Sequence, residues 1–425
     1  MTKKLIKATT TLIVSTALVM SSAANPGDAN ATPLYDNTKL GKFFHVSQGT
    51  LNSKANGSLI RYRDVPNVLY PASRTLQFVF KTTNSHGKPV AASAVLVRPN
   101  KMRKNRPVMV YNDFINSLGV KCQPSFGFDA FAHTLAHGGQ NKDYKGEIAN
   151  RNGISQAVAS QNAKHGIATL LPDFLGLKSA YGANILGAHI TLDAMRAVRR
   201  MQSMGLKKSN MVLAGYSGGG MAAAWAAAMA PSYAPELKIA GLAAGGFPVD
   251  LVWMGLTLGN NHNPGFGIAM ASLLGLEREY PRRMNVNNRL SRKGKALALR
   301  NRNACTPRLL DQWKSESIST TMNGVIVKHQ TNELRVLYDN SLINYRGVPR
   351  IPMFIWGSEK DILVPLGQIK KVVRRWCRAN NNLRVSLIDV QGSDHITNFS
   401  LGLGAAIDWV EGRYNNKPAP NSFCR

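Results

Sequence analysis

Four short, continuous apolar runs occupy the middle of the chain: PVMVY (107–111), IATLL (167–171), NMVLAG (210–215) and KIAGLAAGG (238–246). A strand with one wet face alternates polar and apolar residues, whereas a strand covered on both faces does not need to. Stretches of helical length separate these runs, so each strand can return parallel to the last with a helix crossing over. IPMFIW (351–356) and LRVSLI (383–388) repeat the pattern late in the chain, and two alternating runs ahead of it, TLQFVFKTT (75–83) and VAASAVLVR (90–98), read as an antiparallel pair. The predicted class is α/β, a mostly parallel central sheet flanked by helices. Between 247 and 350 the rhythm breaks. An apolar, glycine-rich part is followed there by the basic RRMNVNNRLSRKGKALALRNR, with no strong strand. This segment is expected to be a mostly helical cap inserted into a core formed by 32–246 and 351–425, seated over the carboxyl ends of the strands.

Residues 1–31 have the form of a secretory signal peptide: Lys3, Lys4 and Lys7, then an apolar stretch over 11–20, then small residues at two candidate cleavage points. No later run is long and apolar enough to span a membrane. The expected protein is exported, either outside the cell or into a periplasm. Cysteine usage agrees, because Cys122, Cys305, Cys377 and Cys424 are widely spaced without a CxxC pair. Two disulfides are expected, and spacing leaves all three connectivities open.

Net charge is +30, and without residues 1–31 it is +28, from 50 basic and 22 acidic residues. Such a surface favours anionic lipids, envelope polymers or acidic substrates. No zinc-finger spacing, RNP-like aromatic run or basic zipper accompanies the charge, so no nucleic-acid partner is expected. One basic cluster, Lys370, Lys371, Arg374, Arg375 and Arg378, shares a helix with the apolar Leu366, Ile369, Val372, Val373 and Trp376 and reads as its solvated face.

The segment MVLAGYSGGGMAAAWAAAMA carries the chemistry. An apolar strand feeds Gly215-Tyr216-Ser217-Gly218-Gly219, and an alanine-rich helix follows at once, the context that a GxSxG nucleophile elbow requires. Gly215 and Gly219 remove side chains that would collide in so sharp a turn. Ser217 stands near a helix N-terminus, whose free N–H groups favour developing negative charge. A serine nucleophile needs a base, and the base needs an orienting acid. Strand 351–356 runs into a loop with Glu359 and Asp361, and strand 383–388 into a polar loop with Asp394 and His395. The order serine, acid, histidine is that of hydrolases with this elbow. Asp361 is the expected acid and Glu359 the alternative, while Asp394, adjacent to His395, is expected to shape the loop. His133 and His137 are four apart, as metal ligands on a helix would be, yet lack the glutamate of HExxH and a third ligand, so no metal is assigned.

Together with LPDFLG, AAGGFPVDL and the tail DWVEGRYNNKPAPNSFC, these residues resemble the secreted lipases of the Candida antarctica lipase A type, an α/β-hydrolase family. The resemblance covers most of the chain beyond residue 31. It implies a triad of Ser217, Asp361 and His395, a cap over an acyl-binding channel, and disulfides Cys122–Cys305 and Cys377–Cys424. It also implies an oxyanion hole from Gly218 with Asp113 of YND. An ionised carboxylate would repel an oxyanion, so Asp113 can serve only when neutral or through its backbone N–H. Asp173 is read as structural. The expected function is a secreted serine ester hydrolase, a lipase on acylglycerols without metal or organic cofactor. A short-chain carboxylesterase, an acyltransferase, a peptidase and a non-catalytic cationic envelope-binding protein are the alternatives.

Overall fold

In the computed structural model the described residues are 40–67, 69–128, 147–259, 263, 265–323, 331–392 and 394–424, with only the backbone described for 147–153. The predicted strands form one sheet, extended by a strand that the hydrophobic pattern does not announce. β1 (Leu59–Asp64), β2 (Ser73–Thr83) and β3 (Pro89–Pro99) pair antiparallel. β4 (Val108–Asn112), β5 (Ala168–Pro172), β6 (Met211–Tyr216), β7 (Ile239–Gly245), β8 (Met353–Gly357) and β9 (Val385–Asp389) are parallel to one another. The order across the sheet is β1-β2-β3-β5-β4-β6-β7-β8-β9, with β3 joining β5 antiparallel. β1 escapes sequence reading because it is an edge strand, half-buried to exposed along its length. Its Arg61, Arg63 and Asp64 guard that edge against further pairing.

Five long helices flank the sheet: α1 (Glu147–Lys164), α2 (Asn184–Arg200), α3 (Ser217–Tyr233), α4 (Leu366–Ala379) and α5 (His395–Tyr414). α3 is apolar all round and buried from Gly218 to Ala230, so its alanines serve two ends. They favour the helix, and they let it lie close to β6 and β7. α4 is its opposite, burying Leu366, Ile369, Val372, Val373 and Trp376 along one stripe. Its basic face is less idle than a solvated face would be. Arg375 donates to the carbonyls of Leu342, Ile343 and Tyr345, Lys370 pairs with Glu359, and Arg374 lies over the Phe423 ring.

Between β7 and β8 the described residues form seven helices of 4 to 14 residues from Leu251 to Asp339 and no strand, only an isolated bridge between Leu290 and Met322. No helix among the described residues is long and apolar enough to cross a membrane. Parallel pairing fixes where the working loops emerge. Tyr216 pairs with Gly245, Gly245 with Trp356, and Gly357 with Asp389. The residues that follow β6, β8 and β9 therefore leave the sheet at its carboxyl edge, where open α/β sheets place ligands.

Candidate active site

Ser217 is the first residue of α3 and has φ 52°, a left-handed conformation unusual for a serine. Such strain costs roughly 1–3 kcal/mol and persists only where neighbours enforce it. Here the enforcement is crowding: a Cβ on Gly215 would lie 2.5 Å from the Gly219 carbonyl carbon, and one on Gly219 would lie 2.0 Å from the Asn112 carbonyl oxygen. Only glycines let the strand end, the helix start and the β4 loop meet this closely.

The Ser217 Oγ lies 2.8 Å from His395 Nε2, and His395 Nδ1 lies 2.6 Å from Asp361 Oδ2. Asp361 is sealed from solvent, and its two oxygens take different partners. Oδ1 accepts the N–H groups of Leu363 and Val364, each at 3.0 Å, while Oδ2 faces the imidazole and the Asn398 amide. Glu359 turns away. It accepts from Lys370 and the Gly367 N–H, and these bonds hold its carboxyl below the usual range.

His395 does not sit in an open loop. It opens the 20-residue helix α5, and Asp394 is the N-cap, its Oδ1 accepting from the N–H groups of Ile396 and Thr397. An N-cap carboxylate points back over its own helix, so it is spoken for by backbone. The Tyr216 hydroxyl donates to the His395 carbonyl at 2.6 Å and the rings lie 5.0 Å apart, tying the residue before the serine to the residue beside it in space. Neither Asn398 nor this role of Tyr216 is visible in sequence, because both depend on how α5 docks.

The β4 loop borders the elbow. A Cβ on Gly219 would come within 2.8 Å of the Asp113 carbonyl carbon, and one on Gly218 within 2.1 Å of Asn116 Oδ1 and 3.5 Å of the Tyr181 ring. Asp113 is buried, and its carboxylate accepts from the Phe114 N–H at 2.9 Å and from the Ser155 hydroxyl. The side chain thus acts as an acceptor. Asn116, which sequence reasoning did not single out, stands beside Gly218 with its Oδ1 buried and unpartnered among the described residues.

Tyr181 also lines a narrow apolar crevice between the helices Leu251–Gly259 and Phe266–Glu279, together with Leu251, Met254, Phe266, Met270 and Leu273. Cys122–Cys305 joins the loop after β4 to this helical segment, and Cys377–Cys424 joins α4 to the C-terminal tail. Asp173, fully buried after β5, accepts from the Ser93 hydroxyl and from the Ser125 N–H at 3.0 Å. Burial pushes its carboxyl up to about 6 against the pull of those bonds. His133 and His137 lie outside the described residues, as does the segment 1–31. Among the described residues no cluster of three or more potential metal ligands occurs.

The sequence pattern of the secretory lipase family matches residues 151–422, well over half of the chain. The chain belongs to the secretory lipase family. It is 26% identical over 410 residues to Lipase 1 of Candida albicans, covering 91% of this chain and 83% of that one. It is 24% identical over 382 residues to a secreted triacylglycerol lipase of Malassezia restricta, covering 86% and 75%. Its fold is that of Candida antarctica lipase A in the closed state, with a TM-score of 0.79 at 23% identity over 92% of this chain and 89% of that one. The resemblance read from the elbow and its surroundings therefore stands, as does the α/β-hydrolase fold. As a member of that family the protein is a hydrolase of the lipase and esterase kind. Its paired cysteines fit the oxidising surroundings in which secreted members of such a family fold.

Proposed function

We propose that this protein hydrolyses fatty-acid esters, acylglycerols foremost, through an acyl-enzyme on Ser217. The observation that carries the reading is the relay of 2.8 Å and 2.6 Å from Ser217 through His395 to the buried Asp361. In the first half-reaction Ser217 Oγ attacks the ester carbonyl carbon while its proton passes to His395 Nε2. Asp361 holds the other ring N–H and stabilises the imidazolium. The tetrahedral intermediate collapses, the alkoxide takes the proton from Nε2, and the alcohol leaves. Water then repeats the sequence on the acyl-enzyme and releases the acid. Every proton is carried by these groups, so the reaction as written calls for no metal or organic cofactor.

The oxyanion would rest on the Gly218 N–H at the head of α3. Asp113 would help through its backbone, because its carboxylate is already occupied as an acceptor. We read 247–350 as the cap. Its apolar crevice, continuous with Tyr181 beside Gly218, supports a binding channel for a hydrocarbon chain. Ile362 and Ile396 flank the acid and the base and are 75% and 66% exposed, which suits contact with a lipid surface. Export through the signal-like segment 1–31 completes the reading.

A serine-directed phosphonate applied to the protein without residues 1–31 tests the nucleophile, with Ser217→Ala as control. Labelling confined to Ser217 supports the acyl-enzyme, and an unlabelled protein would favour the non-catalytic cationic binder. A series of esters from short soluble acids to emulsified triglyceride then tests the substrate. Turnover restricted to the short soluble esters would remove the acylglycerol assignment and leave a carboxylesterase.

A further inference from the structure

The amino edge of the sheet, opposite the serine, carries a groove of about 1180 Å³ that the proposed chemistry does not use. It opens where β6 to β9 begin, and the C-terminal tail forms one wall. Arg350, Arg384, Arg413 and Lys417 line it, and among the described residues no carboxylate does. Arg413 is the telling member, at 6% exposure with a buried Nε that has no hydrogen-bond partner among the described residues. Its contacts are one long bond of 3.3 Å to the Pro418 carbonyl and the face of Trp409 at 4.9 Å. Burial draws its pKa below the usual guanidinium value.

A buried cation without a counter-charge is costly, and a partner anion removes the cost. Arg384 spends one N–H on the Ala419 carbonyl at 3.0 Å. The side chains of Arg350 and Lys417 make no hydrogen bond or ion pair among the described residues, and Lys417 is tied only through its backbone N–H to the Gly412 carbonyl. Three guanidinium forks match the oxygen pairs of phosphate groups. The exposed Asn382 adds an amide, so the wall offers more donors than the two oxygens of a lone carboxylate can use. The groove is concave and several times the size of one phosphate, which suits a chain of anions and keeps a flat bilayer out.

We propose that this groove binds a phosphate-bearing polyanion chain, with Arg413 holding one oxyanion and Arg350, Arg384 and Lys417 taking its neighbours. The net charge of +28 without residues 1–31 would draw such a chain in, and the groove would fix where it stays. Because the groove lies at the sheet edge away from Ser217, the polyanion would anchor the protein and leave the serine open.

Calorimetric titration of the protein without residues 1–31 with tripolyphosphate, at near-physiological salt, tests this. Saturable one-to-one binding is expected. It should weaken about tenfold in Arg350→Gln/Lys417→Gln and change less than about twofold in Lys42→Gln/Lys88→Gln, which removes the same charge at the other end of the sheet. Soluble-ester turnover should be indifferent to saturating tripolyphosphate. Equal weakening of both variants would reduce the effect to net charge and overturn the proposal, and so would inhibition competitive with the ester. Binding to phosphatidylglycerol vesicles that depends on Arg350 and Lys417, without tripolyphosphate binding, would also overturn it and make the face a membrane contact. Arg413→Gln, with its melting temperature measured alongside, should lose tripolyphosphate affinity in the folded protein, and unchanged affinity there would sink the role of the buried arginine.

Discussion

At the carboxyl edge of the sheet Asp361 is sealed from solvent, accepts two backbone N–H groups and the Asn398 amide, and lies 2.6 Å from His395 Nδ1. At the amino edge Arg413 is nearly as buried, yet among the described residues its Nε has no partner and its groove no carboxylate. The same sheet thus handles a buried charge in two ways. At one edge the chain supplies every partner, so the charge is fixed before a substrate arrives, which is the condition for electrostatic preorganisation. At the other, the described residues leave the compensation unfinished, which is the condition for recruiting a ligand.

The largest effects should come from breaking the self-contained edge. Ser217→Ala should lower kcat by roughly 10⁶-fold, and Asp361→Ala by about 10⁴-fold, with the fold intact by circular dichroism. Near-normal turnover in Asp361→Ala, with collapse in Asp394→Ala, would show that the acid belongs to the other loop.

The amino edge can be loosened separately. The Cys377–Cys424 bond closes a separation of 47 residues and pins the tail that walls the groove. Cys377→Ser/Cys424→Ser should cost about 4 kcal/mol in denaturant unfolding, while soluble-ester kcat at 25 °C stays within a few-fold. A kcat loss as large as that of Asp361→Ala would mean the two edges are not independent.

Asp173 sharpens the contrast, because its carboxyl is raised from 3.8 to about 6 by burial despite its serine partners. The folded state holds this proton longer than the unfolded chain does. Its contribution therefore favours folding below about pH 4, is lost as pH rises towards 6, and is then flat. Wild type should lose on the order of 2–3 kcal/mol relative to Asp173→Asn between pH 4 and 6.5, measured by urea unfolding. A constant difference would mean that its bonds, not its burial, set the titration. The smallest effect belongs to Asp394→Ala, about 1 kcal/mol of stability through the lost N-cap of α5, with most of the turnover retained.

Much of this was legible in the chain. The apolar runs and the Gly215-to-Gly219 segment locate the buried strands and the sharp turn, because both follow from local physics: two covered faces, and glycines where Cβ atoms would collide. β1 was not legible, since an edge strand buries too little to leave a pattern. Nor was the start of α5 at His395, because Asp394 and Ser393 read equally well as loop and as cap. Nor did the chain show where Glu359 and Asp361 would point: in space Lys370 draws one carboxylate outward and two backbone N–H groups hold the other inward, beside His395.

By itself the sequence determined the class of fold and the sharp Gly215-to-Gly219 turn that carries Ser217, since periodicity and turn chemistry act over a few residues. Only the tertiary structure decided which oxygen faces His395, that Asn116 stands beside Gly218, and that Arg413 is buried with its Nε unpartnered among the described residues. Those facts depend on side chains brought together from distant parts of the chain, and local pattern carries no record of such meetings.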